Sequence, residues 1–597
     1  MKKLLIPLAA LLALPATAHA APPNPFGHPC TAQNGVLFCP ASTDLQRVPS
    51  FDGVPLDVDV TLPATGNGPF PAIVMMHGWG GGKTNFESNA PEPAGSAAYN
   101  NVAYAQRGYA VITYSARGFG RSCGQADSRT SPACDRGWIH LSDQRYESRD
   151  TQYLLGLLAD QGVVQPAKIG VTGISYGGIQ SQNLARLRNR VRMPDGSLQP
   201  WRSPAGKPMS IAAAWARWGT SDLTYSLTPN GRFLDFRNPP ANLSRRPLGV
   251  EKRSYVLGLY ALGVTAGFVA PQGADPGADL TGWNAITDRG EPYTPEAEAV
   301  ATELSSFHSA GGIAGPTAPM IVQNGWTDDL FPVTEALRVY RTYRRMPGAR
   351  VSYQFGDLGH ARGSNKPNAD ALFNRQGAAF FDAYLKGTGK APANNSVTAF
   401  TQTCPVAASA GGPYRASTWE RLHPGAFPFG RAKTQTVTSS GGNTATLNAF
   451  DPLAADACKT VRRERARGTA VYERFIAKPF TMLGLPTLSA SIRTKGRGGM
   501  IAARLWDVSG GQQRLVSRGL YRLRDNQKGK LLFQLFGNGY RFKRGHVVKL
   551  ELIGRDPAYL RPSNFKFRVR VSKLVVELPT RERPSRRRGI SRPRLGR

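Results

Sequence analysis

The sequence predicts an α/β domain built on a mostly parallel sheet, followed by a domain made of β-strands. Strand and helix patterns alternate over residues 50–219 and again over 316–395. Between one such strand and helix lies a serine flanked by glycines, Gly173-Ile174-Ser175-Tyr176-Gly177. From residue 396 to 580, short β-rich runs separated by Gly, Pro or polar turns are typical of a sandwich or jelly roll.

The first twenty residues carry an export pattern. Lys2 and Lys3 precede an apolar run over residues 4–15, and Ala18-His19-Ala20 fits a signal-peptidase cleavage site. We therefore expect a cleaved signal peptide over residues 1–20 and a secreted or periplasmic protein. No other apolar run approaches the length that spans a bilayer. The Pro-rich residues 21–49 are expected to be irregular.

Six cysteines fit an oxidising compartment, because they fall into couples that are close in sequence. Six cysteines allow 15 pairings, and proximity alone guides the choice among them. On that basis we expect three disulfides: Cys30 with Cys39, Cys123 with Cys134, and Cys404 with Cys458.

The chain is strongly basic, with a formal net charge of +35. Export and the absence of zinc-finger spacing or aromatic-interleaved basic motifs argue against nucleic acid as a partner. The excess charge fits instead either a loose association with an anionic cell envelope or a proteome that is generally rich in arginine. The Arg-rich residues 581–597 are expected to be a disordered tail.

The predicted elements of the first domain follow one another as in a parallel sheet with helices on both sides. Alternating apolar and polar residues over 51–62 indicate a half-exposed strand. Further strands are indicated at residues 71–76, 109–114, 168–174, 210–216, 319–324 and 351–355, and helices at residues 96–108, 146–161, 179–187, 333–346 and 369–385. Over residues 220–315 this alternation stops and helical patterns dominate, which predicts a helical cap inserted into the sheet domain.

Ser175 lies where the chain would turn sharply from strand to helix, which is the context of a nucleophile elbow. Glycines on either side are needed because side chains there would collide with the neighbouring strand and helix. Acyl transfer also needs two backbone N–H groups for the oxyanion, for which we nominate Tyr176 and Trp79. His77, just before Trp79, is expected to hold the loop rather than to react.

A serine hydroxyl needs a histidine base and a carboxylate that orients the histidine. Among the histidines after Ser175, His360 is favoured because it follows the strand at 351–355. For the acid, Asp328 and Asp329 both follow the strand at 319–324; we prefer Asp328 and expect Asp329 to be a solvated neighbour. Asp357 is expected to form hydrogen bonds within its own turn.

Several motifs together resemble the X-prolyl dipeptidyl peptidase and cocaine-esterase-like family of α/β-hydrolases. The resemblance spans roughly residues 50–578 and rests on Asp52-Gly53-Val54-Pro55-Leu56, Arg117-Gly118-Phe119-Gly120-Arg121-Ser122, Gly173 to Gly178, Gly325 to Asp328, Leu483-Gly484-Leu485-Pro486 and Leu505-Trp506-Asp507-Val508. It implies an α/β-hydrolase domain with an inserted helical cap, followed by a jelly-roll domain. It also implies Ser175 as nucleophile, Asp328 as orienting acid, His360 as base and the Tyr176 N–H as oxyanion donor.

The function expected from these residues is hydrolysis of a small ester or an X-Pro peptide through an acyl-enzyme. No cap residue matches the acidic group that would hold a substrate's amino terminus, so peptidase and esterase stay open. The alternative is a catalytically inactive envelope protein that binds polyanions or glycans. Neither a metal-ligand spacing nor a phosphate-binding glycine loop is present in the sequence, and we expect no metal and no cofactor.

Overall fold

The computed structural model describes residues 24–87, 98–231 and 248–595. The expected signal peptide, residues 1–20, lies outside these ranges.

One large sheet organises the chain up to residue 416. Its strands and two small accessory ladders are Thr31–Gln33 (β1), Val36–Cys39 (β2), Val48–Pro49 (β3), Pro55–Leu56 (β4), Val58–Pro63 (β5), Phe70–Met76 (β6), Ala110–Tyr114 (β7), Val164–Ile174 (β8), Arg190–Arg192 (β9), Leu198–Pro200 (β10), Ile211–Arg217 (β11), Met320–Gly325 (β12), Val351–Gly356 (β13), Val397–Thr401 (β14) and Gly411–Ala416 (β15). Among the described residues the sheet order is β1-β2-β5-β7-β6-β8-β11-β12-β13-β14-β15.

The centre of this sheet, from β7 to β14, is parallel, and antiparallel strands flank it on both sides. The register places Met76 of β6 opposite Gly173 of β8, and Gly325 of β12 opposite Gly356 of β13. The carboxyl ends of these four strands therefore lie along one edge of the sheet, where ligand sites of open α/β sheets occur.

Helices cover both faces of the sheet, as the alternation predicted. They are Asn101–Ala105 (α1), Glu147–Asp160 (α2), Tyr176–Leu187 (α3), Leu223–Leu227 (α4), Arg253–Ala266 (α5), Leu280–Thr287 (α6), Pro295–Phe307 (α7), Val333–Tyr343 (α8) and Pro367–Phe381 (α9). Apolar side chains of α1 and α9 pack with Ile73 and Met75 on one face of β6. Those of α2, α3 and α8 belong to the core that contains Val74 and Met76 on the other face. Helices α4 to α7 lie within the segment predicted to be a cap.

The C-terminal part contains two antiparallel sheets. It begins after Trp419–Leu422 (α10) and includes Gly425–Arg431 (β16), Gln435–Thr438 (β17), Thr444–Ala449 (α11), Thr460–Arg462 (β18), Ala470–Phe475 (β19), Phe480–Gly484 (β20), Thr487–Gly496 (β21), Met500–Ser509 (β22), Gln512–Arg522 (β23), Lys528–Gln534 (β24), Asn538–Phe542 (β25), Val547–Ile553 (β26) and Phe567–Thr580 (β27). Leu488 and Val571 of one sheet share a buried core with Leu505 and Val516 of the other. The predicted α/β-hydrolase fold followed by a β-sandwich is confirmed; the finer jelly-roll connectivity stays a prediction.

Three expected boundaries differ from the structure. Residues 21–49 were expected to be irregular, but β1 and β2 form a hairpin whose second strand pairs with β5. The sheet domain was expected to end at 395, yet β14 pairs in parallel with β13 and β15 extends the sheet to Ala416. The predicted disordered tail also differs, because Ser591 pairs with Ala426 and the Arg594 and Leu595 N–H groups donate to Glu577.

The three expected disulfides are confirmed: Cys30–Cys39, Cys123–Cys134 and Cys404–Cys458. Disulfides of this kind are typical of oxidising, extracytoplasmic compartments. Among the helices within residues 24–87, 98–231 and 248–595, we found none with the length and apolar character needed to cross a membrane.

Candidate active site

Ser175 lies at the tip of a strained turn between β8 and α3. Its φ of +54° and ψ of −111° are unusual for a residue with a side chain and present the hydroxyl at the sheet edge. A Cβ on Gly173 would come within 2.4 Å of the Met76 carbonyl oxygen, and one on Gly177 within 2.0 Å of the same atom. The glycines are required because strand β6 leaves no room for a side chain on either side of Ser175.

The structure brings the three predicted side chains together. His360 Nε2 lies 2.7 Å from Ser175 Oγ, and His360 Nδ1 lies 2.7 Å from Asp328 Oδ2. Asp328 follows β12 and His360 follows β13, so both reach Ser175 from the same edge of the sheet. This is the hydrogen-bond chain that activates a serine hydroxyl.

Asp328 is held in place by its own turn. Its Oδ1 accepts hydrogen bonds from the Leu330 and Phe331 N–H groups, both at 2.9 Å, and the side chain is fully buried. Oδ2 accepts from the His360 N–H as well as from the imidazole. A Cβ on Gly359, whose φ is +109°, would come within 2.4 Å of Asp328 Oδ2. Both carboxylate oxygens are thus fixed before any substrate binds.

The two competing aspartates have other partners. Asp329 was expected to be solvated, but it is buried and pairs with Arg362 at 2.8 Å and with Arg518 at 3.4 Å. Burial alone would raise its pKa, yet the two guanidinium groups hold the pKa of Asp329 below its usual range. Asp357 accepts from the Ser364 N–H in the loop after β13, as expected, and also from the Thr327 hydroxyl in the loop after β12.

The two nominated oxyanion donors, Tyr176 and Trp79, line the same cavity as Ser175. The Tyr176 N–H is the first of helix α3, and the Trp79 N–H belongs to the loop after β6. Neither donates a hydrogen bond to another group within the described ranges. By contrast, the Gly177 N–H donates to the His77 carbonyl oxygen at 2.9 Å, which ties this loop to α3. An oxyanion hole requires N–H groups that are free to donate, and both candidates meet that condition.

Comparison with known protein families matches residues 52–191 to the family described as X-Pro dipeptidyl-peptidase (S15 family). The match covers the elbow around Ser175 and the two earlier motifs at residues 52–56 and 117–122. This part of the chain is similar to the catalytic domain of that peptidase family. The protein is accordingly a serine hydrolase of the peptidase or ester-hydrolase type, and the resemblance found in the sequence is confirmed. No curated protein sequence matched the chain.

The similarity of this hydrolase to solved structures extends over nearly the whole chain. A CocE/NonD family hydrolase from Staphylococcus aureus has a TM-score of 0.54 at 13% identity and covers 91% of this chain and 94% of its own. An α-amino acid ester hydrolase has a TM-score of 0.54 at 14% identity, covering 95% and 100%. An aminopeptidase from the marine sediment archaeon Thaumarchaeota archaeon has a TM-score of 0.54 at 12% identity, covering 96% and 100%. At these identities the likeness establishes the fold.

His77 of the hydrolase holds the loop that carries Trp79, as expected. Its Nε2 accepts from the Ala116 N–H at 2.9 Å, so the proton is on Nδ1, which donates to the Gly78 carbonyl oxygen at 2.7 Å. Complete burial lowers the pKa of His77 to about 4. A protonated ring could no longer accept from Ala116, so the loop needs a neutral histidine.

This burial predicts a loss of stability in acid. The pKa of His77 falls from 6.5 in a model peptide to about 4 in the folded protein. The unfolded chain takes up the proton first, so the His77 contribution to the unfolding free energy is complete above pH 6.5 and falls by about 3 kcal/mol as the pH drops to 4. Urea unfolding at a series of pH values measures the loss.

The control is His77→Gln, which keeps an acceptor and does not titrate. Buried Glu147, whose pKa is raised to about 7, changes stability in the opposite direction over part of the same range. Glu147 is present in both the wild-type protein and the His77→Gln variant. The difference between their unfolding free energies at each pH is therefore the contribution of His77. If the unfolding free energies of both proteins changed equally with pH, His77 would not be the group responsible for the loss of stability.

Tyr176 has a second role that the sequence did not indicate. Its hydroxyl donates to buried Glu147 at 2.6 Å and accepts from the Ser142 N–H at 3.1 Å. Its ring packs edge-on against Trp79, with 5.3 Å between centroids. Tyr176 thus connects α3, α2 and the loop that carries Trp79.

The sandwich contacts the loop that carries Asp328. Besides the Arg518 pair with Asp329, the Tyr559 hydroxyl donates to the Asp329 carbonyl oxygen at 2.8 Å. The Trp326 indole donates to the Phe400 carbonyl oxygen at 2.7 Å, and a Cβ on Gly539 would lie 2.8 Å from that indole nitrogen. The C-terminal domain therefore supports the position of Asp328 from behind.

A cavity of about 140 Å³, partly open to solvent, lies between Ser175 and the cap. The described residues that line it all lie between positions 79 and 331 of the sequence. They therefore belong to the sheet domain and the cap and not to the sandwich. Trp79 joins the two, because its indole donates to the Leu259 carbonyl oxygen of α5 at 2.8 Å. Among the described residues, the cap rather than the C-terminal domain shapes the space next to Ser175.

One cluster of potential metal ligands occurs in the residues that the structure describes. Single ligand atoms of Asp143, Glu303 and His308 lie within 4.8 Å of one another. The Arg145 guanidinium pairs with both carboxylates. Because a cation of the protein already balances the two charges, the cluster fits an ion-pair link between the cap and the sheet domain better than a metal site.

Proposed function

We propose that the protein is an exported serine hydrolase that cleaves an ester or an X-Pro peptide bond through an acyl-enzyme. The observation that carries the proposal is the chain of two 2.7 Å hydrogen bonds from Ser175 through His360 to Asp328. The names of the similar structures include both an ester hydrolase and an aminopeptidase, which supports keeping both substrate classes.

In the first half of the reaction, Ser175 Oγ attacks the carbonyl carbon while His360 Nε2 takes its proton. The Tyr176 and Trp79 N–H groups stabilise the negative oxygen that forms. His360 then gives the proton to the leaving alcohol or amine, and the acyl group stays on Ser175. Asp328 keeps the Nδ1 proton of His360 in place and stabilises the imidazolium throughout.

In the second half, a water molecule replaces the leaving group. His360 takes a proton from the water as its oxygen attacks the acyl carbon, and then returns that proton to Ser175 Oγ. The acid is released and the enzyme is restored. The same three side chains act in both halves, which is why their relative positions matter more than any single contact.

Export is supported by two observations. Residues 1–20 have the composition of a cleaved signal peptide. The three disulfides, which include all six cysteines of the chain, suit an oxidising compartment. Amino-terminal sequencing of the protein recovered outside the cytoplasm should begin near Ala21.

A fluorophosphonate probe tests the proposal directly. We expect it to label the protein at Ser175, identified by mass spectrometry of the modified peptide, and we expect His360→Ala to abolish labelling. An unlabelled but folded protein would favour the alternative, an inactive envelope protein that binds polyanions or glycans. That alternative also predicts binding to an anionic polymer that weakens steeply with salt.

A further inference from the structure

We propose that a basic groove between the sheet domain and the sandwich binds an acidic polysaccharide. The groove encloses about 840 Å³ and is partly open to solvent. Among the described residues, none lines both this groove and the cavity beside Ser175. The groove is therefore a separate site, and the proposal does not depend on the proposed hydrolysis.

The groove lies where four parts of the chain meet. Helix α8 with the residues that follow it, helix α10 with the start of β16, and strands β21, β24 and β27 of the sandwich all contribute lining residues. The carboxyl-terminal segment adds Pro593 and Leu595. This segment is rich in arginine and has no part in the triad, so its position beside a groove points to a role of its own.

Cationic side chains outnumber acidic ones along the groove. The arginines that line it are Arg341, Arg344, Arg345 and Arg421. Two further arginines, Arg592 and Arg594, are exposed on either side of the lining residue Pro593. A concave site with this excess of positive charge attracts anions from solution.

The two acids that line the groove are already used by the protein. Glu420 accepts from the Arg344 guanidinium and from the Tyr340 hydroxyl, both at 2.6 Å. Glu577 is buried, and one of its oxygens accepts from the backbone N–H groups of Arg594 and Leu595 at 2.9 and 2.8 Å. Neither carboxylate neutralises the remaining arginines of the groove.

Four arginines of the groove and its edge are exposed and form no ion pair within the described ranges; they are Arg345, Arg421, Arg592 and Arg594. Arg421 donates only to the Ser417 hydroxyl, at 3.1 Å, just before its own helix. A guanidinium is a planar fork of N–H donors that matches the oxygens of a carboxylate, sulfate or phosphate group. Several such forks along one groove suit a chain that carries an anion on successive units.

The aromatic residues of the groove favour a polysaccharide over a nucleic acid. Trp419 and His423 are the aromatic residues among its described lining, and Trp419 is only 5% exposed. Their rings pack edge-on, with 4.8 Å between centroids. Single-stranded nucleic acids bind on exposed rings that stack with the bases, and the groove offers no such platform. A flat membrane surface could not enter a concave groove, whereas a flexible chain of acidic sugars can.

The test measures binding of fluorescein-labelled oligosaccharides to the full chain by fluorescence anisotropy over a range of salt concentrations. Polygalacturonate carries carboxylates, heparin carries sulfates, and dextran carries no charge. We expect binding of at least one acidic polymer, weakening steeply as salt rises, and no binding of dextran. The stronger of the two acidic polymers identifies the preferred anion. Labelled oligothymidine and vesicles of phosphatidylglycerol are measured in parallel.

Two variants with the same loss of charge locate the site. The groove variant combines Arg345→Gln, Arg421→Gln, Arg592→Gln and Arg594→Gln. The control variant changes four exposed arginines of the C-terminal part that do not line the groove, Arg465→Gln, Arg467→Gln, Arg524→Gln and Arg544→Gln. Each exposed contact contributes roughly threefold to affinity, so the groove variant should bind about a hundredfold more weakly. Its slope of log Kd against log salt should fall by about three. The control should bind like the wild type.

Hydrolysis of nitrophenyl acetate by the groove variant, at the wild-type rate, checks that it is folded. If it does not fold, the double variant Arg345→Gln and Arg421→Gln should still weaken binding by about tenfold. Ser175→Ala protein should bind the polymer as the wild type does, because the two sites share no residue. Fluorophosphonate labelling of Ser175 is scored separately, so the failure of one proposal is distinguishable from the failure of the other.

Three results would overturn the groove as a polysaccharide site. The first is an absence of binding to both acidic polymers. The second is an equal loss of affinity in the groove and control variants, which would show that the overall charge of the chain attracts the polymer. The third is tighter binding of oligothymidine or of the vesicles than of either polysaccharide, which would assign the groove to a different class of partner.

Discussion

Replacing Ser175 with alanine is expected to lower kcat by about 10⁶-fold, since a serine triad acts as a unit and loses nearly all its effect when one member is removed. The structure gives the physical reason. His360 Nε2 is 2.7 Å from Ser175 Oγ, and without that oxygen His360 has no nucleophile to deprotonate. The measurement is steady-state hydrolysis of a short-chain nitrophenyl ester by the purified variant.

The matched control is Ser181→Ala on the same helix. Ser181 is buried and its hydroxyl donates to the Gly177 carbonyl oxygen at 2.7 Å, so the substitution removes a helical serine without touching the triad. Loss of the Ser181 hydroxyl should change kcat only a few-fold. Ser175→Ala protein with wild-type turnover would show that the ester is cleaved elsewhere and would remove the basis of the mechanism.

The nucleophile elbow was predictable because its physical requirements are local. A serine at positive φ needs glycines wherever the adjacent strand and helix come close, and those glycines are visible at 173 and 177. The acid and base were predictable from strand order. Residues that follow parallel strands meet at one edge of the sheet, so Asp328 and His360 had to lie near Ser175.

The surroundings of the acid loop could not be predicted in the same way. Two adjacent aspartates look equivalent in the sequence, and Asp329 was expected to face solvent. Its partners are Arg362 from the next loop and Arg518 from a strand of the sandwich. No periodicity connects residues from different domains, because such a contact is set by how the domains pack.

The same limit applies to the ends of the domains. Strand β14 carries apolar residues that suit either the last strand of the parallel sheet or the first of the sandwich. Only its pairing with β13 decides between them. The Arg-rich carboxyl-terminal segment was expected to be disordered on composition alone, yet buried Ile590 and the contact of Ser591 with Ala426 place it on the sandwich. The Arg-rich composition of a segment indicates disorder on average, but it does not show that one apolar residue, here Ile590, is buried against the sandwich.

Substituting the two adjacent aspartates separately should produce opposite effects. Asp328→Asn is expected to lower kcat by about 10⁴-fold, because the amide cannot hold His360 in the required tautomer or stabilise its charge. Stability should change little, since an Asn oxygen can still accept from the Leu330 and Phe331 N–H groups. Ester hydrolysis and urea unfolding measure the two quantities on the same protein.

Asp329→Asn is expected to leave the turnover of the folded enzyme largely intact and to lower the unfolding free energy by about 3–5 kcal/mol. The carboxylate lies between the buried guanidinium groups of Arg362 and Arg518, and a neutral amide leaves both charges uncompensated. Asp357→Asn, which removes a charge from a neighbouring turn, serves as the common control. If Asp329→Asn lost turnover and Asp328→Asn lost only stability, the orienting acid would be Asp329, and the hydrogen-bond chain from Ser175 would have to be redrawn through it.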